Sequence, residues 1–231
     1  MTTSTNSVAP SIRVWDLPTR LFHWLLVLCF IGAFVTVKIG GNAMLWHQRC
    51  GYAIGALLLF RLLWGVAGGY WSRFGQLALS PSRVLGYVGG KPDARDDVGH
   101  SPTGAWAVLA MLVLLAAQVL SGLMSDDEIA FAGPLARFVS GATTGQATYY
   151  HAHVGQWLLL GLIGLHIAAI VFYIVRLKKP LIRPMIHGDK QLGVASMAPA
   201  LPASRDTAGS RLMALVLALV CAAVMWWVST L

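Results

Sequence analysis

Charge is scarce in this chain. Only 11% of its 231 residues are Asp, Glu, Lys or Arg, and 9 of these are acidic, whereas a soluble domain carries about a quarter. With 57% hydrophobic residues and a mean hydropathy of +0.67, the soluble classes are excluded and an integral membrane protein remains. Cysteine is almost absent. Cys29, Cys50 and Cys221 lie in or beside apolar segments and form neither CxxC nor CxxCH, which leaves no support for a disulfide framework, an iron–sulfur site or covalently attached haem. The residues before Arg13 contain no apolar run, so the first apolar segment is expected to be a retained span and not a cleaved signal. No carboxylate falls inside any span. A proton or ion relay therefore lacks its acidic members, and zinc lacks four close ligands.

Five apolar stretches are present, at residues 21–37, 45–66, 104–124, 150–173 and 211–228, each long enough to cross a bilayer. The expected architecture is all-α: a four-helix transmembrane bundle over residues 12–190, then a fifth C-terminal transmembrane helix over 211–231. A flexible tail at 1–11 and a flexible cytoplasmic linker at 191–210 complete the expected organisation. Residues 81–90 suit a short interfacial helix, and residues 125–149 a loop folded over the mouth of the bundle. The formal charge of +8 would suggest nucleic acid in a soluble chain. Here the basic residues flank the spans: Arg13, Arg20, Arg73, Arg83, Lys91, Arg95, Arg176, Lys178, Lys179, Arg183, Lys190, Arg205 and Arg211 on one side, against Lys38, Arg49 and Arg137 on the other. That asymmetry predicts a cytoplasmic N-terminus, membrane lipid as surroundings and no nucleic-acid partner.

Histidines recur inside the spans, and they are paired by depth. His23 opens the first span, and His166 is reached by the fourth as it returns toward the same side. His47 begins the second span at the opposite face, where His151 or His153 begins the fourth. From His151 to His166 the helix turns by a net of about 60°, from His153 by about 140° in the other sense, so His151 shares the face of His166 more nearly. Two opposed imidazole pairs at different depths suit bis-histidine coordination of two b-type haems, because each iron takes an axial nitrogen from either side of a flat macrocycle. Both axial positions would be filled, leaving an electron carrier. Gly51 and Gly55, one and two turns beyond His47, clear a stripe that admits either a neighbouring helix or a flat cofactor. Gln118, on the histidine-free third span, is expected to make an interhelical hydrogen bond. Arg61, fourteen residues after His47, suits a haem propionate, and Arg20 has a similar opportunity near His23. His100 and His187, in polar linkers, are expected to be solvated.

Several motifs together closely resemble the bacterial cytochrome b561 family, and are similar also to the b-type cytochrome subunits of nickel–iron hydrogenases. They are RVWDLPTRLFHW (13–24), WHQRCGYAIGALLLFRLLWG (46–65), SDDEIAFAGPLARFVSG (125–141) and YHAHVGQW running into LHIAAIVFY (150–173). The resemblance covers residues 12–190 and implies four transmembrane helices that bind two b haems, with ligands at His23, His47 and His166. The fourth ligand in the family commonly lies fourteen positions before the last, where this chain has Ala152. One extra residue absorbed in a π-bulge brings His151 into line, while a local tightening would bring His153. Rotation favours His151; His153 would then meet a propionate, exchange protons or be solvated.

The function expected is that of a di-haem b-type cytochrome of the respiratory chain in the bacterial inner membrane, passing electrons between a quinone and a protein partner. That partner would be a cytochrome c or a dehydrogenase, with Asp126, Asp127 and Glu128 able to dock a basic one. A superoxide:quinone oxidoreductase is the alternative within the family. A non-haem transporter or structural anchor is the alternative outside it.

Overall fold

The computed structural model describes residues 11–191 and 201–231. In chain order the elements are β1 (Ser11–Arg13), α1 (Leu17–Ile39), α2 (Met44–Ala67), α3 (Pro81–Val88), α4 (Pro102–Leu123), α5 (Gly141–Tyr149), a π-helical turn (Tyr150–Gly155), α6 (Gln156–Val175), α7 (Ile182–His187), β2 (Asp189–Gln191) and α8 (Ala208–Ser229). Among the described residues five helical runs are long and apolar enough to cross a membrane, the fourth of them being α5, the π turn and α6 in continuity from Gly141 to Val175. The expected all-α bundle with a fifth C-terminal span is therefore observed.

Helix starts follow from local chemistry. Asp16, Ser80, Ser101, Ser140 and Thr207 each accept a hydrogen bond from a backbone N–H of the first turn, and proline follows within two residues of the first three; both features satisfy or remove orphan donors. The fourth span begins earlier than expected. Residues 141–149, GATTGQATY, look like loop because they are small and polar, yet the Ser140 cap starts a helix that the apolar run then continues. The short helix expected near 81–90 is α3.

The centre of the bundle is α2, which packs against α1, α8 and α4, while α4 carries α6 on its other side; α1 and α6 share no comparable face. Small residues decide this. A side chain at Gly55 would strike Met225 of α8 and Val119 of α4, and one at Gly65 would strike the Phe74 ring, so both glycines are occupied by neighbours. Gly51 has nothing within 4 Å. The stripe below His47 thus divides: one turn is open and the next is filled by helix packing. Leu159 on α6 is buried with Ile54, Leu58 and Leu115, forming an apolar layer between the two histidine levels.

One end of the bundle is capped by all the basic segments. β1 pairs antiparallel with β2, Ile12 opposite Lys190, which brings the chain before α1 beside the chain after α6. The segment leading into α8 joins them: the Ser204 N–H donates to the Arg13 carbonyl (2.8 Å) and the Ser204 hydroxyl to the Val14 carbonyl (2.7 Å), while Trp71 donates to Ser204 Oγ and to the Pro202 carbonyl. Asp206 pairs with Arg13 (2.6 Å) and Arg211 (2.8 Å). A flexible linker was expected over residues 191–210; of these, residues 201–207 supply partners to this cap and residues 192–200 lie outside the described residues. The tail expected at 1–11 likewise lies outside them except for Ser11, which is in β1.

Asp16 is the centre of this cap. Its carboxylate is fully buried and accepts from Thr19 N (2.8 Å), Gly69 N (3.0 Å), Ser72 Oγ (2.8 Å) and Trp64 Nε1 (3.1 Å). Those donors come from the start of α1, the end of α2 and the loop beyond. Asp16→Ala would strand them, and losing an acceptor for buried donors costs about 2–4 kcal/mol. A clear fall in the unfolding midpoint of the detergent-solubilised protein is expected. Asp189→Ala, at the half-exposed end of the Arg13 pair, should cost under about 1 kcal/mol.

Candidate functional site

At the end away from the basic cap, His47 on α2 and His151 in the π turn face each other across the bundle. Their ring centroids are 5.9 Å apart with planes at 87°. Each ring is held by a carbonyl of an adjacent helix. His47 Nδ1 donates to Ala33 O of α1 at 2.9 Å, and His151 Nδ1 donates to Gln118 O of α4 at 2.8 Å. A carbonyl only accepts, so the proton is on Nδ1 and each Nε2 keeps a free lone pair. Two nitrogens each ~2 Å from one metal atom, with ring centres ~1 Å further out, would put centroids ~6 Å apart. The observed spacing fits that.

The π turn sets which histidine lies opposite His47. It spans Tyr150–Gly155 and takes up the one residue by which this segment departs from even α-helical spacing. His151 is thereby directed inward, into space that Gly122 leaves clear: a Cβ there would lie 2.7 Å from His151 Cε1. His153 is exposed and stacks on Tyr149 at 5.1 Å. The expected interhelical bond of Gln118 is present, Nε2 donating to the His151 carbonyl at 2.9 Å. The histidine-free span thus positions His151 twice, through a side chain and through a carbonyl.

At the basic end, His23 on α1 and His166 on α6 are half-buried and within electrostatic reach of each other. His23 packs edge-on to Trp24 at 5.0 Å, and its Nδ1 is buried without a hydrogen-bond partner. Arg61 is 4% exposed, rests over the Phe74 ring at 4.6 Å and has a buried NH1 with no partner. An unsatisfied buried donor such as Arg61 NH1 calls for an acceptor that the described protein atoms do not supply. Arg20 is committed differently. NH1 donates to the Ile186 carbonyl of α7 and NH2 lies 3.9 Å from Asp206, leaving Nε unpartnered.

His100 corrects an expectation. Its ring lies 4.7 Å from that of Trp15 in the cap of Trp15, Trp71 and Val98, half-buried and not solvated. Desolvation first, then the positive charge of Arg61, pushes its pKa down from 6.5 to about 4. His187, at the end of α7, is exposed as expected.

The mouth beyond the His47–His151 pair holds a cavity of about 1010 Å³, lined among others by Gln48, Tyr52, Asp126, Glu128, Arg137 and His153. Its acidic rim is built, not loose. Asp127 accepts from the backbone N–H groups of Phe131, Ala130 and Ile129, which hold its carboxyl below the usual range, and the Asp126 N–H donates to Thr148 Oγ1 at 3.1 Å.

Among the described residues no three His, Cys, Asp or Glu side chains gather as a metal cluster. Two-imidazole sites with open space beside Gly51 suit a metal that arrives inside its own macrocycle. Asp16, Gly122, Ser204 and His100 were the functional or supporting residues that sequence reasoning missed. Only Asp16 carried a signal, as an N-cap residue two positions before Pro18.

Residues 14–188 match the family described as prokaryotic cytochrome b561. A probable Ni/Fe-hydrogenase B-type cytochrome subunit from Bradyrhizobium diazoefficiens is 22% identical over 220 residues, covering 79% of this chain and 87% of that one. A protein with the same description from Cupriavidus necator is 22% identical over 209 residues, covering 76% and 85%. No solved structure matches significantly.

Because the folded pKa of His100 lies below its value of 6.5 in the unfolded chain, the unfolded state takes up the proton first. The stability this residue contributes is complete above about pH 6.5 and is lost as pH falls toward about 4. Imidazole NMR should give a His100 midpoint near 4, and His100→Asn should flatten the pH dependence of unfolding across that window.

Proposed function

The chain belongs to the prokaryotic cytochrome b561 family, a multi-pass b-type cytochrome of membrane electron transfer, and we propose that it carries two b haems and passes electrons between them across the bilayer. One haem is held by His47 and His151, the other by His23 and His166. The observation that carries this reading is the His47–His151 geometry: rings 5.9 Å apart, each with Nδ1 tied to a carbonyl, which leaves the Nε2 lone pair free. Such ties fix ring orientation and raise ligand basicity. The unpartnered NH1 of Arg61 supports the expected role toward a propionate of the basic-end haem. Arg20, engaged by Ile186 and close to Asp206, offers only Nε to the same group.

Haem held by these histidine pairs would supply one-electron chemistry. The chain's own residues do the rest. The Leu159 layer keeps water from between the two levels, and the carbonyls of Ala33 and Gln118 hold the far-end rings still. The basic end faces the cytoplasm under the positive-inside rule, in the bacterial inner membrane. A quinone is the exchangeable two-electron partner. The relatives named as hydrogenase cytochrome subunits support a dehydrogenase as the protein partner, and the acidic rim Asp126–Glu128 would equally accept a basic cytochrome c. That rim disfavours superoxide oxidation at this mouth, because its lining carries three carboxylates against Arg137 and repels an anion.

Quantitative haem extraction with a redox difference spectrum tests the proposal. Two haems per chain are expected, falling to one in His23→Ala, His47→Ala, His151→Ala and His166→Ala and remaining two in His153→Ala. One haem or none in the fully loaded wild type, or loss on replacing His153 with retention on replacing His151, overturns it.

A further inference from the structure

The π turn is the one place where the fourth span leaves regular geometry, and it is also where a ligand is proposed. A wide turn adds a residue, so its carbonyls lose the donors they would have four residues on. In this chain two side-chain amides are directed at those carbonyls: Gln118 Nε2 of α4 donates to the His151 carbonyl at 2.9 Å, and Gln156 Nε2 donates to the Ala152 carbonyl. Gln118 does more than fill a vacancy. Its own backbone carbonyl accepts from His151 Nδ1 at 2.8 Å, so one residue grips both the main chain and the ring of His151. The grip depends on closeness. Gly155, the last residue of the turn, is buried and has its Cα against Gln118 Oε1, where any Cβ would collide with the amide. Gln118 Oε1 itself is buried without a partner, so the amide is held in place by what Nε2 donates to and not by both its ends.

We propose that Gln118 is a positioning residue that sets the register of the fourth span, holding the wide turn open so that His151, and not Ala152, faces His47. Without the Gln118 amide, the His151 carbonyl recovers a donor only by closing the turn into a regular α-helix. Closing it turns everything before Gly155 by about 100° relative to α6. Ala152 then occupies the inward position, and the far-end pair loses an imidazole while His23 and His166 are untouched. Removing one residue from the turn has the opposite effect: the regular helix that results keeps His151 in phase with α6 and needs no amide. The inference rests on His151 being a haem ligand.

The test is Gln118→Leu, alone and combined with deletion of Ala152, in the full chain purified with its haem. Readouts are haem per chain, the low-spin ferric EPR signals and the midpoint potentials, with the basic-end haem as internal control of folding. Gln118→Leu should lose the far-end signal, a twofold fall in haem, and deletion of Ala152 in that background should restore two haems. Two haems with unchanged EPR and potentials in Gln118→Leu overturn the proposal, and so does any loss that the deletion fails to restore. His151→Ala separates the two failures. If it keeps both haems, the ligand reading itself falls; if it loses one while Gln118→Leu loses none, only the register proposal does.

Discussion

An imidazole in hydrocarbon cannot leave a nitrogen without a partner, and this constraint organises the far half of the protein. His47 and His151 each give the Nδ1 proton to a carbonyl of a neighbouring helix. A helical carbonyl already bonded within its own helix still has a second lone pair, so the bundle supplies these acceptors without breaking any helix. What remains on each ring is the Nε2 lone pair, free to accept a partner. The same logic runs through the basic end, where His23 Nδ1 and Arg61 NH1 are buried polar atoms without a partner among the described residues.

The cap is the complementary case, in which the partners of Asp16 and Ser204 come from the protein. Asp16 collects donors from α1, α2 and the loop after it, and Ser204 adds the C-terminal segment to the same assembly. The fifth span is therefore more than an anchor: α8 fills the Gly55 face of α2, and the strand of chain leading to it closes the cap over Trp15, Trp71 and His100. Arg61 is buried beside this cap, and low local polarity strengthens whatever electrostatic contact it makes.

Much of this was legible from residues alone. Span number, the central place of histidine and the two-level pairing followed from hydropathy and helical rotation, because in a membrane those signals are strong and local. The placing of His151 rather than His153 opposite His47 was also open to rotation arithmetic, with a wide turn as the device needed to reconcile the spacing. Less visible were features whose cause lies far away in the chain. The start of α5 hid in small polar residues that give no periodic signal. His100 looked solvated because its linker is polar, whereas Trp15, more than eighty residues earlier, covers its ring.

The sequence by itself determined the membrane setting, the five spans, the depth of each histidine and the family resemblance, since all of these are carried by local composition and spacing. Only the tertiary structure decided which nitrogen of each ring is free, what Gln118 holds, where Gly51 leaves room and Gly55 does not, and how residues 201–207 close the cap. These are contacts between segments distant in the chain. Hydropathy says that a helix crosses the membrane, but the rotation of one helix against another is set by close packing of small residues and by the partners that buried polar atoms must find.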